Sequence, residues 1–129
     1  MITGSCLCGK ITYEISGGMG DIVHCHCQTC RKAHGAAFSS VASVQDQHFR
    51  LSGADQLSFF ESSPGKTRYF CKHCGTQIYA KRENTEHIIL RLGSLDSNPE
   101  VQARSHIWLS QKAAWYDPAE RLPGYDEFE

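Results

Sequence analysis

The chain has 129 residues, 40% of them hydrophobic, with 13 basic and 14 acidic side chains and a net charge of −1. That length fits one domain, 1–129, able to bury a core. The balanced charge, without a basic tract, argues against a nucleic-acid backbone or an anionic membrane as partner, and no apolar run is long enough to span a bilayer.

The first residues, Met1 to Cys6, lack the charged and apolar blocks of a signal peptide, so a soluble cytoplasmic protein is expected. Ile11, Tyr13 and Ile15 alternate with polar residues from Lys10 to Ser16, the pattern of a half-buried strand. Gly17 to Gly20 reads as a turn, and Asp21 to His24 as a short strand that delivers Cys25. Gln28 to His34 can form one or two helical turns, stopped by Gly35. Ala37 to Val44 reads as a strand, Gln45 to Gln47 as a polar turn, and the runs around Phe49 and Leu51 and around Leu57, Phe59 and Phe60 as two more strands. Pro64-Gly65 marks a turn, Thr67 to Phe70 and Thr76 to Ala80 are arms of a hairpin, and His87 to Leu92 is a further β-rich run. Beyond Pro99 the pattern loosens, with Ile107, Trp108, Trp115 and Tyr116 as expected anchors and Asp126 to Glu129 as an acidic tail. Short strand-like runs with turns between them predict a mainly β or all-β domain.

Seven cysteines are many for this length, and the odd number leaves one over in any complete pairing. They fall into three tight clusters, Cys6/Cys8, Cys25/Cys27/Cys30 and Cys71/Cys74. Thiols so close in sequence converge on a metal more readily than they pair with each other. Cys71 and Cys74, with two residues between them and followed by Gly75, have the spacing of a zinc knuckle. With Cys6 and Cys8 they complete four ligands for a structural zinc.

Cys25, Cys27 and Cys30 offer three thiolates within six residues. Three protein ligands plus an exchangeable position is the pattern of a catalytic zinc. The alternative is a closed site with a fourth ligand from His24, His26, His34, His73 or a carboxylate. If Cys25 to Cys27 is extended, His26 points away from the side that Cys25 and Cys27 share. Arg31 and Lys32 follow the last cysteine and can offset the thiolate charge, unless they form a solvated surface. His34 lies one helical turn beyond Cys30, as a candidate proton donor or acceptor.

These motifs resemble the glutathione-dependent formaldehyde-activating enzyme family. The likeness lies in Gly4-Ser5-Cys6-Leu7-Cys8-Gly9, in Cys25 to Lys32 with Gly35 to Phe38, in Tyr69 to Thr76, and in His106-Ile107-Trp108 with Lys112 to Trp115. It implies an all-β, Mss4-like fold of packed antiparallel sheets and two zinc ions per chain. One would be structural, at Cys6, Cys8, Cys71 and Cys74, and one functional, at Cys25, Cys27 and Cys30. It also implies a small thiol such as glutathione as substrate and a carbon–sulfur lyase activity of the S-hydroxymethylglutathione synthase type. Tyr13, Phe38, Trp108 and Trp115 are candidate pocket walls, and His106 a candidate pocket or structural residue. A zinc-fold module that binds a protein partner is the competing expectation. Nothing in the sequence specifies an oligomeric state.

Overall fold

The computed structural model describes residues 1–129. Strands β1 (Ile2–Ser5), β2 (Thr12–Ile15) and β5 (Phe49–Ser52) pair antiparallel in the order β1-β2-β5. Strand β2 buries Tyr13 and Ile15 and exposes Thr12 and Glu14, the alternation legible in the sequence. The close fit of this small sheet rests on Gly4. A Cβ there would lie 2.1 Å from the Tyr13 ring, whose hydroxyl shares a hydrogen bond of 2.7 Å with Ser94 Oγ.

The remaining strands are β3 (Ile22–Cys25), β4 (Ser39–Gln45), β6 (Leu57–Ser63), β7 (Lys66–Cys71), β8 (Gln77–Arg82), β9 (His87–Arg91) and β10 (Ala103–Ile107). They form one seven-stranded sheet in the order β10-β3-β4-β9-β8-β7-β6. The only α-helix, α1 (Gln28–His34), spans the range predicted. Gly35 closes it with φ 60° and ψ 40°, donating its N–H to Arg31 O.

One face of the large sheet packs on the small one. Val44, Ile88 and Leu90 meet Ile11, Tyr13 and Ile15 in a fully apolar core. A β-bulge adjusts this face: Tyr69 lies opposite Tyr79 while Phe70 lies opposite Gln77, so Ile78 is the extra residue and turns into the core. Burying an isoleucine or leucine side chain this completely stabilises by about 1.5–3 kcal/mol.

Two strands escape the sequence pattern, β1 and β10. Strand β10 is the one departure from antiparallel pairing, since it lies parallel to β3, with Ile107 opposite Cys25. Trp115 anchors nothing; it is 72% exposed. After Lys112 the chain carries no strand or helix. No helix is long and apolar enough to cross a membrane.

Candidate metal centres and the adjoining cavity

The four sulfurs of Cys6, Cys8, Cys71 and Cys74 lie within 4.8 Å of one another. Cys6 Sγ is 3.6 Å from Cys8 Sγ, which is 3.7 Å from Cys71 Sγ. Thiolates at the corners of a zinc tetrahedron stand about 3.8 Å apart, from a metal–sulfur distance of about 2.3 Å. The donor set therefore fits a metal ion. Backbone N–H groups are already turned toward it, Ile11 N–H onto Cys6 Sγ at 3.3 Å and His73 N–H onto Cys71 Sγ at 3.4 Å. Gly75, at φ 79°, lets the knuckle turn after Cys74. Hydrogen bonds from Thr76 hold the Cys74 thiol down to about 5. All seven cysteines are free thiols.

The other three sulfurs also converge within 4.8 Å. Each comes from a different local geometry. Buried Cys25 ends β3, Cys27 caps α1 in an extended conformation, and Cys30 lies in the first helical turn and donates its N–H to Cys27 Sγ at 3.3 Å. The trio shares its charge unevenly. The hydrogen bond from Cys25, helped by Arg68, holds Cys30 down to about 3 against the cost of burial, while the same bond and burial push Cys25 up.

No histidine or carboxylate joins the trio at ligand range. His24 Nδ1 bonds Ser40 Oγ at 2.9 Å, His26 Nε2 bonds His106 Nδ1 at 2.8 Å, and His73 Nε2 bonds Gln56 Oε1. His26 and His24 project to the sheet face opposite Cys25, as the extended backbone requires. Phe38 packs against both rings and His106, with centroids 4.7 Å from His24 and 4.9 Å from His26. Phe38, half-buried, and His106, exposed, thus belong to an aromatic cluster around buried His26, on the sheet face away from Cys25.

In front of the trio is a cavity of about 390 Å³. Strand register explains its walls. Cys25 pairs with Ser39, Val41 two residues on pairs with Arg91, Ile89 pairs with Ala80, Ala80 with Arg68, and Arg82 with Lys66. Directly paired residues share a face, so one face of the sheet presents Cys25, Arg91, Arg82, Arg68 and Lys66 together. Arg68 and Arg91 are 4% and 3% exposed. Arg68 Nη2 approaches Cys30 Sγ at 3.7 Å. Burial and the neighbouring Arg68 lower Arg91 to about 10, and burial lowers Lys66 as well. Ile107, paired with Cys25 across β10 and β3, and Trp108 line the cavity as well. Trp108 holds a left-handed backbone, φ 59°, unusual for a bulky residue.

The other expected site residues lie elsewhere. Arg31 does not line this cavity, and its Nε is buried without a protein partner. His34 faces a second cavity of about 410 Å³ that it shares with Arg91 and Phe38, and burial lowers it to about 4. Tyr13 is core rather than pocket wall, and Trp115 lines neither cavity. Sequence reasoning missed Lys66, Arg68, Arg82 and Arg91. The available signal was a cation pair at period two in one strand-forming run, Lys66/Arg68, and a lone Arg91 at the end of an apolar run, Ile88 to Leu90, in another.

The family model for the glutathione-dependent formaldehyde-activating enzyme matches residues 1–111. A protein of Aspergillus flavus, provisionally named as such an enzyme, is 31% identical over 116 residues, 88% of this chain and 55% of its own length. One from Podospora anserina, with the same provisional name, is 32% identical over 120 residues, 90% of this chain and 51% of its own. The chain thus spans about half the length of these curated relatives. A crystal structure of a Rhodobacter sphaeroides protein has the same fold, with a TM-score of 0.63 at 24% identity, covering 79% of this chain and 99% of that one. The chain belongs to the glutathione-dependent formaldehyde-activating enzyme family.

Proposed function

We propose that residues 1–129 act as one zinc-binding unit with a carbon–sulfur lyase activity of the S-hydroxymethylglutathione synthase type. The substrate class is glutathione, or another small thiol, and its aldehyde adduct. The observation that carries this reading is the convergence of Cys25, Cys27 and Cys30 within 4.8 Å, with no fourth side chain at ligand range, on the wall of a 390 Å³ cavity. Three ligands and an accessible side are the arrangement of a reactive zinc rather than a sealed one. The four-cysteine cluster has the complete donor set of a structural ion. Free thiols throughout suit a reducing cytoplasmic setting.

A zinc ion held by the trio supplies acidity to an incoming thiol and stabilises it as thiolate. The protein's own groups do the rest. Arg68, against Cys30, balances thiolate charge, and Ile107 and Trp108 give the cavity an apolar lining. In the reaction a carbon–sulfur bond forms between the thiol and formaldehyde, and the thiol proton ends on the former carbonyl oxygen. The reverse reaction breaks the same bond. No electrons leave the pair.

The test follows hydroxymethyl adduct formation by NMR, with zinc-loaded protein, glutathione and formaldehyde. Faster equilibration than in buffer is expected, lost in a Cys27→Ser variant that retains the native circular dichroism spectrum. An unaccelerated reaction, together with no binding of any thiol, overturns the proposal in favour of a non-catalytic module.

A further inference from the structure

Among the residues around the cavity, the cations are in excess and acids are absent. Lys66, Arg68, Arg82 and Arg91 line it, with no aspartate or glutamate. Three thiolates and one divalent ion leave a single negative charge, which the four cations outnumber by three. The excess is not spent on neighbours, since the ion pairs of the protein, Lys81 with Asp46 and Arg104 with Asp21, involve none of these residues.

The buried pair at the bottom is under-bonded too. Arg68 uses Nε on Ser62 Oγ at 2.9 Å and Nη2 on Cys30 Sγ, but its Nη1 has no partner in the protein. Arg91 has none at Nε or Nη2. Three buried N–H-bearing nitrogens on side chains more than nine-tenths buried are costly unless an acceptor arrives. A planar guanidinium is best completed by a carboxylate.

From these observations we infer that Arg68 and Arg91 are specificity-determining residues that receive a carboxylate on the thiol substrate, so that the cavity selects anionic thiols over neutral and cationic ones. The inference rests on the reading of the cavity as a thiol site. Because Arg68 touches the sulfur of Cys30, the selected carboxylate can lie close to the reacting sulfur, and a thiol with only a few carbons between the two groups suffices. Lys66 and Arg82, at the outer part of the same face, add attraction for a second anionic group of a longer substrate.

The test compares three short thiols of graded charge, mercaptopropionate, mercaptoethanol and cysteamine, by calorimetric titration into zinc-loaded protein at low and high salt. Mercaptopropionate is expected to bind roughly tenfold or more tighter than mercaptoethanol, with cysteamine weakest and the spread narrowing in salt. Intrinsic thiol acidity predicts the reverse order, because an ammonium group favours the thiolate and a carboxylate disfavours it. In an Arg91→Gln variant the ratio between mercaptopropionate and mercaptoethanol should collapse while mercaptoethanol binding persists, whereas Arg68→Gln, which also removes the charge against Cys30, should weaken both thiols and mercaptopropionate more; a merely structural role would weaken both alike in each variant. If either variant fails to fold, the wild-type series decides alone. Equal binding of the three thiols, or the acidity order, overturns this inference and leaves the thiol reading standing. Binding of none overturns both.

Discussion

At the scale of single residues, position on a shared face outweighs proximity in sequence. Arg31 follows Cys30 directly yet stays out of the cavity, while Arg68, 38 residues further on, touches the Cys30 sulfur. His34 illustrates burial acting on charge. Folded, it releases its proton near pH 4; in the unfolded chain it does so near 6.5. Between these values the unfolded chain binds more protons, so stability falls as pH drops through that window and is unaffected by this group above it. A His34→Asn variant should therefore show a shallower acid limb between pH 6.5 and 4 in urea unfolding. The difference is at most about 1.4 kcal/mol per pH unit, and less in practice because the ring is partly solvated. Parallel profiles for the two proteins would remove His34 from the account.

At the scale of elements, legibility follows local patterning. Strand β2 was readable because its apolar residues alternate, and α1 because Gly35 stops it. Residues Ile2–Ser5 have no such alternation, and antiparallel pairing with β2 is what makes them a strand. Strand β10 carries Arg104, Ser105 and His106, largely solvent-facing, and exists through parallel pairing with β3, some eighty residues away in sequence. The trio and each of the two cysteine pairs were readable from spacing, since ligands close in sequence need only a turn to converge; that the two pairs meet followed from a structural zinc's need for four ligands. The cationic wall was not, because it depends on the register of β3, β4, β9, β8 and β7 together. The helix stop offers a clean check. Gly35 has open space where a Cβ would go but a left-handed backbone, so Gly35→Ala should cost about 1 kcal/mol through conformation alone. The urea midpoint reports this, and metal content should stay unchanged; a neutral substitution would mean that the αL cap is not held in solution.

At the scale of the whole molecule, the two clusters have unequal structural duties. The four-cysteine cluster joins the turn after β1 to the turn between β7 and β8, a closure of more than sixty residues. The trio spans six residues at the junction of β3 and α1 and closes little. Cys71→Ser should therefore lower the thermal midpoint by about 10 °C, on an expected loss of about 3 kcal/mol, while Cys27→Ser lowers it far less. Equal losses in calorimetric scans would contradict this division of labour.

The central claim is that the trio holds a metal with room for a thiol, and cadmium NMR of the cadmium-substituted protein tests it most directly, since the cadmium shift reports how many sulfurs surround each ion. The account predicts two resonances, one at the four-thiolate position and indifferent to glutathione, the other at a three-thiolate position that moves toward the first as glutathione is added. Two four-thiolate resonances from the start, or a three-thiolate resonance that glutathione leaves in place, would contradict it.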